Sequence, residues 1–333
     1  MKLKIRLQNK NRRLQLLLGL ALLSEFAYLA IASVEDLRNH VPFFLACYGL
    51  AFLLYWLAAV HFFGLSSTTE EGGANLLPAS ALRWLKDFAA RLNVNLNMAT
   101  REILTIGILF GALFRLTFLF TQPTLSDDIY RYVWDGKVAA NGINPYQHEP
   151  EAEALQPLRD SDIYPFVNHK EIPTVYPPVS QLTFLGLYAI KGSVLTFKAG
   201  LLLFEALMVF VLAFILKSLQ INQTRLLIYL WNPLPIVEIA GSGHADIIGV
   251  FFLVAALYLM TQKKWVGATV LLAFSFLTKF IAVILLPVLT LVKKRRKIVI
   301  PLVFLIVVVL FYLPYADVGT QLFSGLSTYS AKW

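Results

Sequence analysis

The stretch SDDIYRYVWDG at 126–136 is the part of this 333-residue sequence best suited to proton transfer, because it clusters acids around one arginine. On a helix Asp128, Arg131 and Asp135 share a face through i+3 and i+7 spacing, and Asp127 reaches Arg131 by i+4. Adjacent like charges and partial loss of hydration raise a carboxylate's proton affinity, which suits it to act as a general base. The same residues also suit a plain surface helix, with Tyr130, Tyr132 and Trp134 at a membrane interface beside ordinary salt bridges.

Further candidates lie downstream. In VYPPVSQ (175–181), Pro177 and Pro178 set an extended approach and the first turn of a helix, leaving Tyr176 and Gln181 at its mouth to hold a polar substrate group. In WNPLPIVEIAGSGHAD (231–246), a proline-broken helix carries Glu238, followed by His244 and Asp246. One histidine and scattered carboxylates lack the spacing of a metal site, so no metal ligands or cofactor are assigned and a need for a divalent ion stays open. Lys279 interrupts an apolar run, and Arg115 lies within two turns of the end of another. Each is a cation that either snorkels to the interface or pairs with a phosphate. Glu25, Lys198 and Glu205 are read as helix-pairing charges.

The elements that position these residues follow from composition. The chain is 58% hydrophobic and 15% charged, against roughly 45–50% and about 25% for soluble domains. Apolar segments fall near 14–33, 42–64, 102–121, 178–192, 196–216, 225–241, 246–262, 265–292 and 298–314, several reaching the roughly 17–25 residues that cross a bilayer. Lipid offers no partner to an unpaired backbone group and no segment alternates like a barrel strand, so the expected fold is all-α, a polytopic bundle of about 8–10 membrane segments.

The formal charge of +9 invites nucleic acid as a partner, but the basic residues flank the spans. Six Lys/Arg occupy residues 1–13 and five occupy 293–297, which marks a cytoplasmic face and a cytoplasmic N-terminus. Cys47 is the single cysteine, so no disulfide framework exists. Residues 1–64 read as a two-span anchor. Residues 65–101 read as an inner linker with an interfacial amphipathic helix, since Leu85, Phe88, Ala89 and Leu92 share one face.

Three crossings then place 122–177 outside, a loop carrying nine acids against four Lys/Arg. Its length in a compact bundle points to function. Parity requires one segment after 177 to be short or broken, with 178–192 and 225–241 the suspects. It also requires 265–292 to turn back near Lys279.

The combination D-x-x-R-Y-x-W-D-G, G-x-N-P-Y, Y-P-P-x-x-Q, N-P-L, G-x-x-H and a lysine in a broken span resembles the polytopic GT-C glycosyltransferases over about residues 100–333. Within them it is most similar to bacterial mannosyltransferase-like proteins that use a polyprenyl-phosphate sugar donor. The resemblance implies a catalytic module over 102–333 with catalytic loop 122–177, and further spans after the LFSGLSTYSAKW segment where this chain stops. It implies Asp128, or else Asp127, as the base that deprotonates an acceptor hydroxyl while the polyprenyl phosphate leaves with inversion. Lys279 would meet the donor phosphate, with Arg131 and Arg115 as further cations, and Asp135, Tyr176, Gln181, Glu238, His244 and Asp246 would contact substrate. The implied setting is the bacterial inner membrane, with an extracytoplasmic active site, a glycan or glycolipid acceptor, lipid around it and no nucleic acid. A transporter or flippase of lipid-linked sugar, and a non-catalytic membrane partner, are the competing readings.

Overall fold

The computed structural model describes residues 2–63, 100–292 and 298–332. The amphipathic helix expected within 65–101 and the 293–297 basic cluster fall outside the described residues. Among the described residues helices are the regular structure and no strand occurs, and five of the helices are long and apolar enough to cross a membrane: Arg12–Ala32, Leu37–His61, Arg101–Leu119, Val194–Ser218 and Val299–Ala331. This is the architecture of a polytopic membrane protein.

The chain divides into two compact units, one formed by Met1–Thr121 and Leu216–Val237, the other by Gln122–Ile215 and Glu238–Trp333. In the first, α1 (Lys2–Ala32) packs on α2 (Val41–His61) and on α3 (Thr100–Leu119). An aromatic cluster of Tyr28, Phe63, Phe114 and Trp231 fills its core. The 225–241 segment is broken as its prolines require: α7 (Leu226–Leu230) stops before Pro233, and the chain resumes as a π-type turn over Ile236–Gly241. Trp231 Nε1 closes the break by donating to the Gly107 carbonyl at 2.7 Å.

The second unit carries the candidate residues. It begins with α4 (Asp128–Ala140), which crosses α5 (Pro178–Ile190) so closely that a β-carbon on Gly136 would lie 2.5 Å from the Phe184 carbonyl oxygen. Gly136 is the last residue of the WDG motif, and its bare backbone sets that crossing. Pro177 holds the extended conformation (φ −66°, ψ 168°) at the N-cap of α5 and Pro178 occupies its first turn, as the double proline dictates.

After α6 (Val194–Ser218), helix α8 (Asp246–Thr261) packs along α9 (Trp265–Phe276). Helix α9 ends three residues before Lys279, which is extended (φ −151°, ψ 124°). A 3₁₀ stretch, Phe280–Leu285, and α10 (Leu286–Val292) then fold back on α9. The 265–292 segment is thus two short arms with Lys279 at their turn. Helix α11 (Val299–Tyr312), a 3₁₀ stretch over Leu313–Phe323 and α12 (Ser324–Lys332) complete the unit.

Candidate active site

Asp128 opens α4, where the helix dipole favours a carboxylate. Its Oδ1 accepts a hydrogen bond from Asn168 Nδ2 at 2.6 Å, and its Oδ2 lies 3.8 Å from His244 Nδ1. The carboxylate is 35% exposed, and it faces a cavity of about 240 Å³. Asp246, Lys279, Tyr176 and the arginine of the motif, Arg131, line the same cavity, as do Tyr132, Thr278, Leu326 and Tyr329. The turn at Lys279 therefore stands at the same end of this unit as the 122–177 loop. Asp127 occupies the N-cap position of α4 and is not among the lining residues.

Lys279 pairs with Asp246, and both side chains are well exposed, 63% and 46%. An exposed pair of this kind contributes only about 0–1 kcal/mol, so an incoming anion exchanges for Asp246 at little cost.

Arg131 is set differently. Its side chain turns toward Asp135, four residues on, with Nε donating to Oδ1 at 2.9 Å, and both side chains are buried. Its two terminal nitrogens donate to the carbonyls of His169 and Ile172 at 3.0 and 3.1 Å. Asp135 Oδ2 accepts from Thr174 Oγ1 at 2.5 Å and from Gln181 Nε2 at 3.1 Å. Arg131, Asp135, Thr174 and Gln181 thus form a buried polar network that fastens the far end of the 122–177 loop to α4 and α5. Gln181 is fully buried within it, with Oε1 unpartnered.

Tyr176 hangs from this network by its backbone. Its carbonyl accepts from the Tyr146 hydroxyl at 2.7 Å, and its ring stands edge-on to Tyr132. Burial first, then the nearby Asp128 charge, pushes the Tyr176 hydroxyl well above the usual phenol range, so it serves as a neutral hydrogen-bonding group.

Glu238 and His244 come together beside Asp128: His244 Nε2 lies 3.2 Å from Glu238 Oε2, and the His244 amide donates to the Glu238 carbonyl at 3.0 Å. The turn between them depends on Gly243, whose φ of +75° favours glycine and whose bare α-carbon sits against the side chain of Ile129. Gly243→Ala is expected to destabilise the fold by about 1–3 kcal/mol, through the strained φ, and to lower activity by moving His244 off Asp128. A wild-type melting midpoint for the purified variant contradicts this.

Arg115 belongs to the other unit. There its Nη1 donates to the carbonyls of Gly111 and Leu230 at 2.7 and 2.8 Å, tying α3 to the break after α7. Four residues in or beside the cavity carried no sequence signal: Asn168 and Thr174 sit in a loop without periodicity, and Thr278 and Tyr329 belong to no motif.

Fold and site together define a class: a polytopic helical membrane protein with a carboxylate and an ammonium facing one cavity, the equipment of a group-transferring enzyme. Residues 41–295 match the family model described as alpha-(1->6)-mannopyranosyltransferase, N-terminal domain, and the chain belongs to that family. It is a mannosyltransferase by family. No curated protein and no solved structure matches it.

Proposed function

We propose that the protein is an inverting GT-C mannosyltransferase that moves mannose from a polyprenyl-phosphate donor to an acceptor hydroxyl of an extracytoplasmic glycan or glycolipid. The observation that carries this reading is that Asp128 and Lys279 line one cavity. A base and a phosphate-pairing cation are the two charges such a transfer needs.

In the proposed step Asp128 Oδ2 takes the proton of the acceptor hydroxyl as that oxygen attacks the anomeric carbon. The bond from that carbon to the phosphate oxygen breaks on the opposite face, and the lipid phosphate leaves with the bonding electrons. Lys279 meets the developing phosphate charge, which replaces a general acid. Tyr176 and Asp246 flank the sugar. Arg131, Asp135 and Gln181 act as positioning residues, because their polar groups hold the loop that carries Asn168 and Tyr176.

A lipid-borne donor accounts for a site at the rim of membrane helices. The charge pattern of the chain supports a cytoplasmic N-terminus with the cavity on the outer face, and the bacterial inner membrane is the setting that the resemblance implies. Family membership favours transfer over the transporter and non-catalytic readings.

Lys279→Ala tests the phosphate assignment. Loss of one charge-assisted hydrogen bond is expected to raise the donor KM by about tenfold or more, with the acceptor KM little changed. Unchanged donor KM and kcat in steady-state transfer with polyprenyl-phosphate mannose overturn the assignment.

A further inference from the structure

Glu238 and His244 have no part in the transfer step above, yet the fold builds them against the base. The π-type turn over Ile236–Gly241 carries Glu238 to His244 Nε2, and π-type turns recur at functional sites. Gly243 then folds the chain over Ile129, the residue next to Asp128, and this presents His244 Nδ1 to Asp128 Oδ2. The result is a line of three groups, Glu238, His244 and Asp128, ending at the cavity.

Resting on the assignment of Asp128 as the base, we infer that His244, oriented by Glu238, is a positioning residue that holds Asp128 in its ionised, proton-accepting form. Of the basic residues that line the cavity, Arg131 is directed to Asp135 and two carbonyls, Lys279 to Asp246, and His169 carries its ring edge-on to Tyr329. Asn168 gives Asp128 a neutral amide donor, which orients the carboxylate without offsetting its charge. His244, with Nδ1 3.8 Å from Asp128 Oδ2, is placed to supply that charge as an imidazolium.

The groups around His244 agree with this role. Glu238 approaches from the turn, Asp128 from α4 and Asp246 from the start of α8, where Lys279 offsets it. Tyr132 hydrogen-bonds the backbone of Ala245. The hydrogen bond to Glu238 raises the His244 pKa; burial opposes this without cancelling it, and the charges of Glu238, Asp128 and Asp246 add to the rise. The imidazolium's contribution to this line is complete from about 6.5, the ordinary imidazole value, down to the carboxylate range, and fades as pH rises through the raised imidazole value. Within that window the imidazolium stands as the counter-charge to the Asp128 carboxylate. It also promotes return of the captured proton to water once the products leave.

The test is the pH dependence of kcat/KM for the full chain, with polyprenyl-phosphate mannose as donor and a mannoside as acceptor. Wild type is compared with His244→Gln, Glu238→Gln and Asp128→Asn. The acid limb is expected to move up by about one pH unit in His244→Gln, and in the same direction by less in Glu238→Gln. A merely structural role lowers the rate at every pH and leaves the limb in place, so an unmoved limb in both variants overturns the inference. Should His244→Gln fail to fold, Glu238→Gln alone decides, since it keeps the imidazole. Asp128→Asn separates the two levels. If that variant turns over normally the base assignment falls and this inference with it; if it is inactive while the limbs stay fixed, only this inference falls.

Discussion

Asp128→Asn is expected to reduce mannosyl transfer by about 10²–10⁴-fold while leaving the protein folded, because the change removes the proton acceptor and the negative charge that faces His244 without altering the side chain's shape. Asparagine has the shape of aspartate, and its carbonyl oxygen still accepts the hydrogen bond that Asn168 donates to Oδ1. The side chain is partly exposed, so no buried group loses its partner. What disappears is the ability to take the acceptor's proton. Asp127→Asn is the matched control: that residue sits at the helix cap outside the lining of the cavity and should retain most turnover. Transfer from radiolabelled polyprenyl-phosphate mannose measures both. Full turnover by Asp128→Asn, or equal losses in the two variants, contradicts the choice of base.

The largest effect on stability is expected from Asp135→Ala. The change leaves the Arg131 guanidinium buried without its carboxylate and removes the acceptor shared by Thr174 and Gln181. Breaking a buried pair on one side costs about 3–5 kcal/mol, since the remaining charge has no water to replace its partner. The same loop contains a contrasting pair, Lys137 and Asp160 at 2.6 Å, which is partly exposed. Burial pushes the Asp160 carboxyl up, but the Lys137 ammonium and the amides of Ile163 and Tyr164 hold it below the usual carboxylate range. Lys137→Ala should nevertheless cost no more than about 1 kcal/mol, because water screens that pair. Thermal unfolding of the two detergent-solubilised variants compares them directly. A similar small drop in both would mean that the buried network does not hold the loop.

These two residues also mark the limit of what the sequence discloses. The long spans are plain from hydropathy. The breaks at Pro233 and near Lys279 follow from proline chemistry and from the parity of crossings between basic clusters. Helix α4 and its acidic face are legible because i, i+3 and i+4 spacing is a local property. The choice made by Arg131 is not, since Asp127 and Asp135 stand at equal distance along the chain on either side of it. Asp135 wins through Thr174 and Gln181, which arrive from 39 and 46 residues away and leave no trace in periodicity. Gln181 read as a substrate contact because a polar residue at a helix mouth fits that role, but its buried amide instead completes the network. Asn168 was illegible for a similar reason, as its partner lies 40 residues earlier.

The cavity's walls come from widely separated stretches of chain, with Asp128 near one end of the order and Leu326 and Tyr329 at the other. In a protein threaded into the bilayer during synthesis, Asp128 is therefore delivered long before the surfaces that enclose it. A nascent chain that has made its 122–177 loop but not yet turned at Lys279 has Asp128 without Lys279. Under the proposed mechanism such a chain lacks the cation that the transfer needs, so transfer waits until the turn at Lys279 is made, with no inhibitor or cleavage event required.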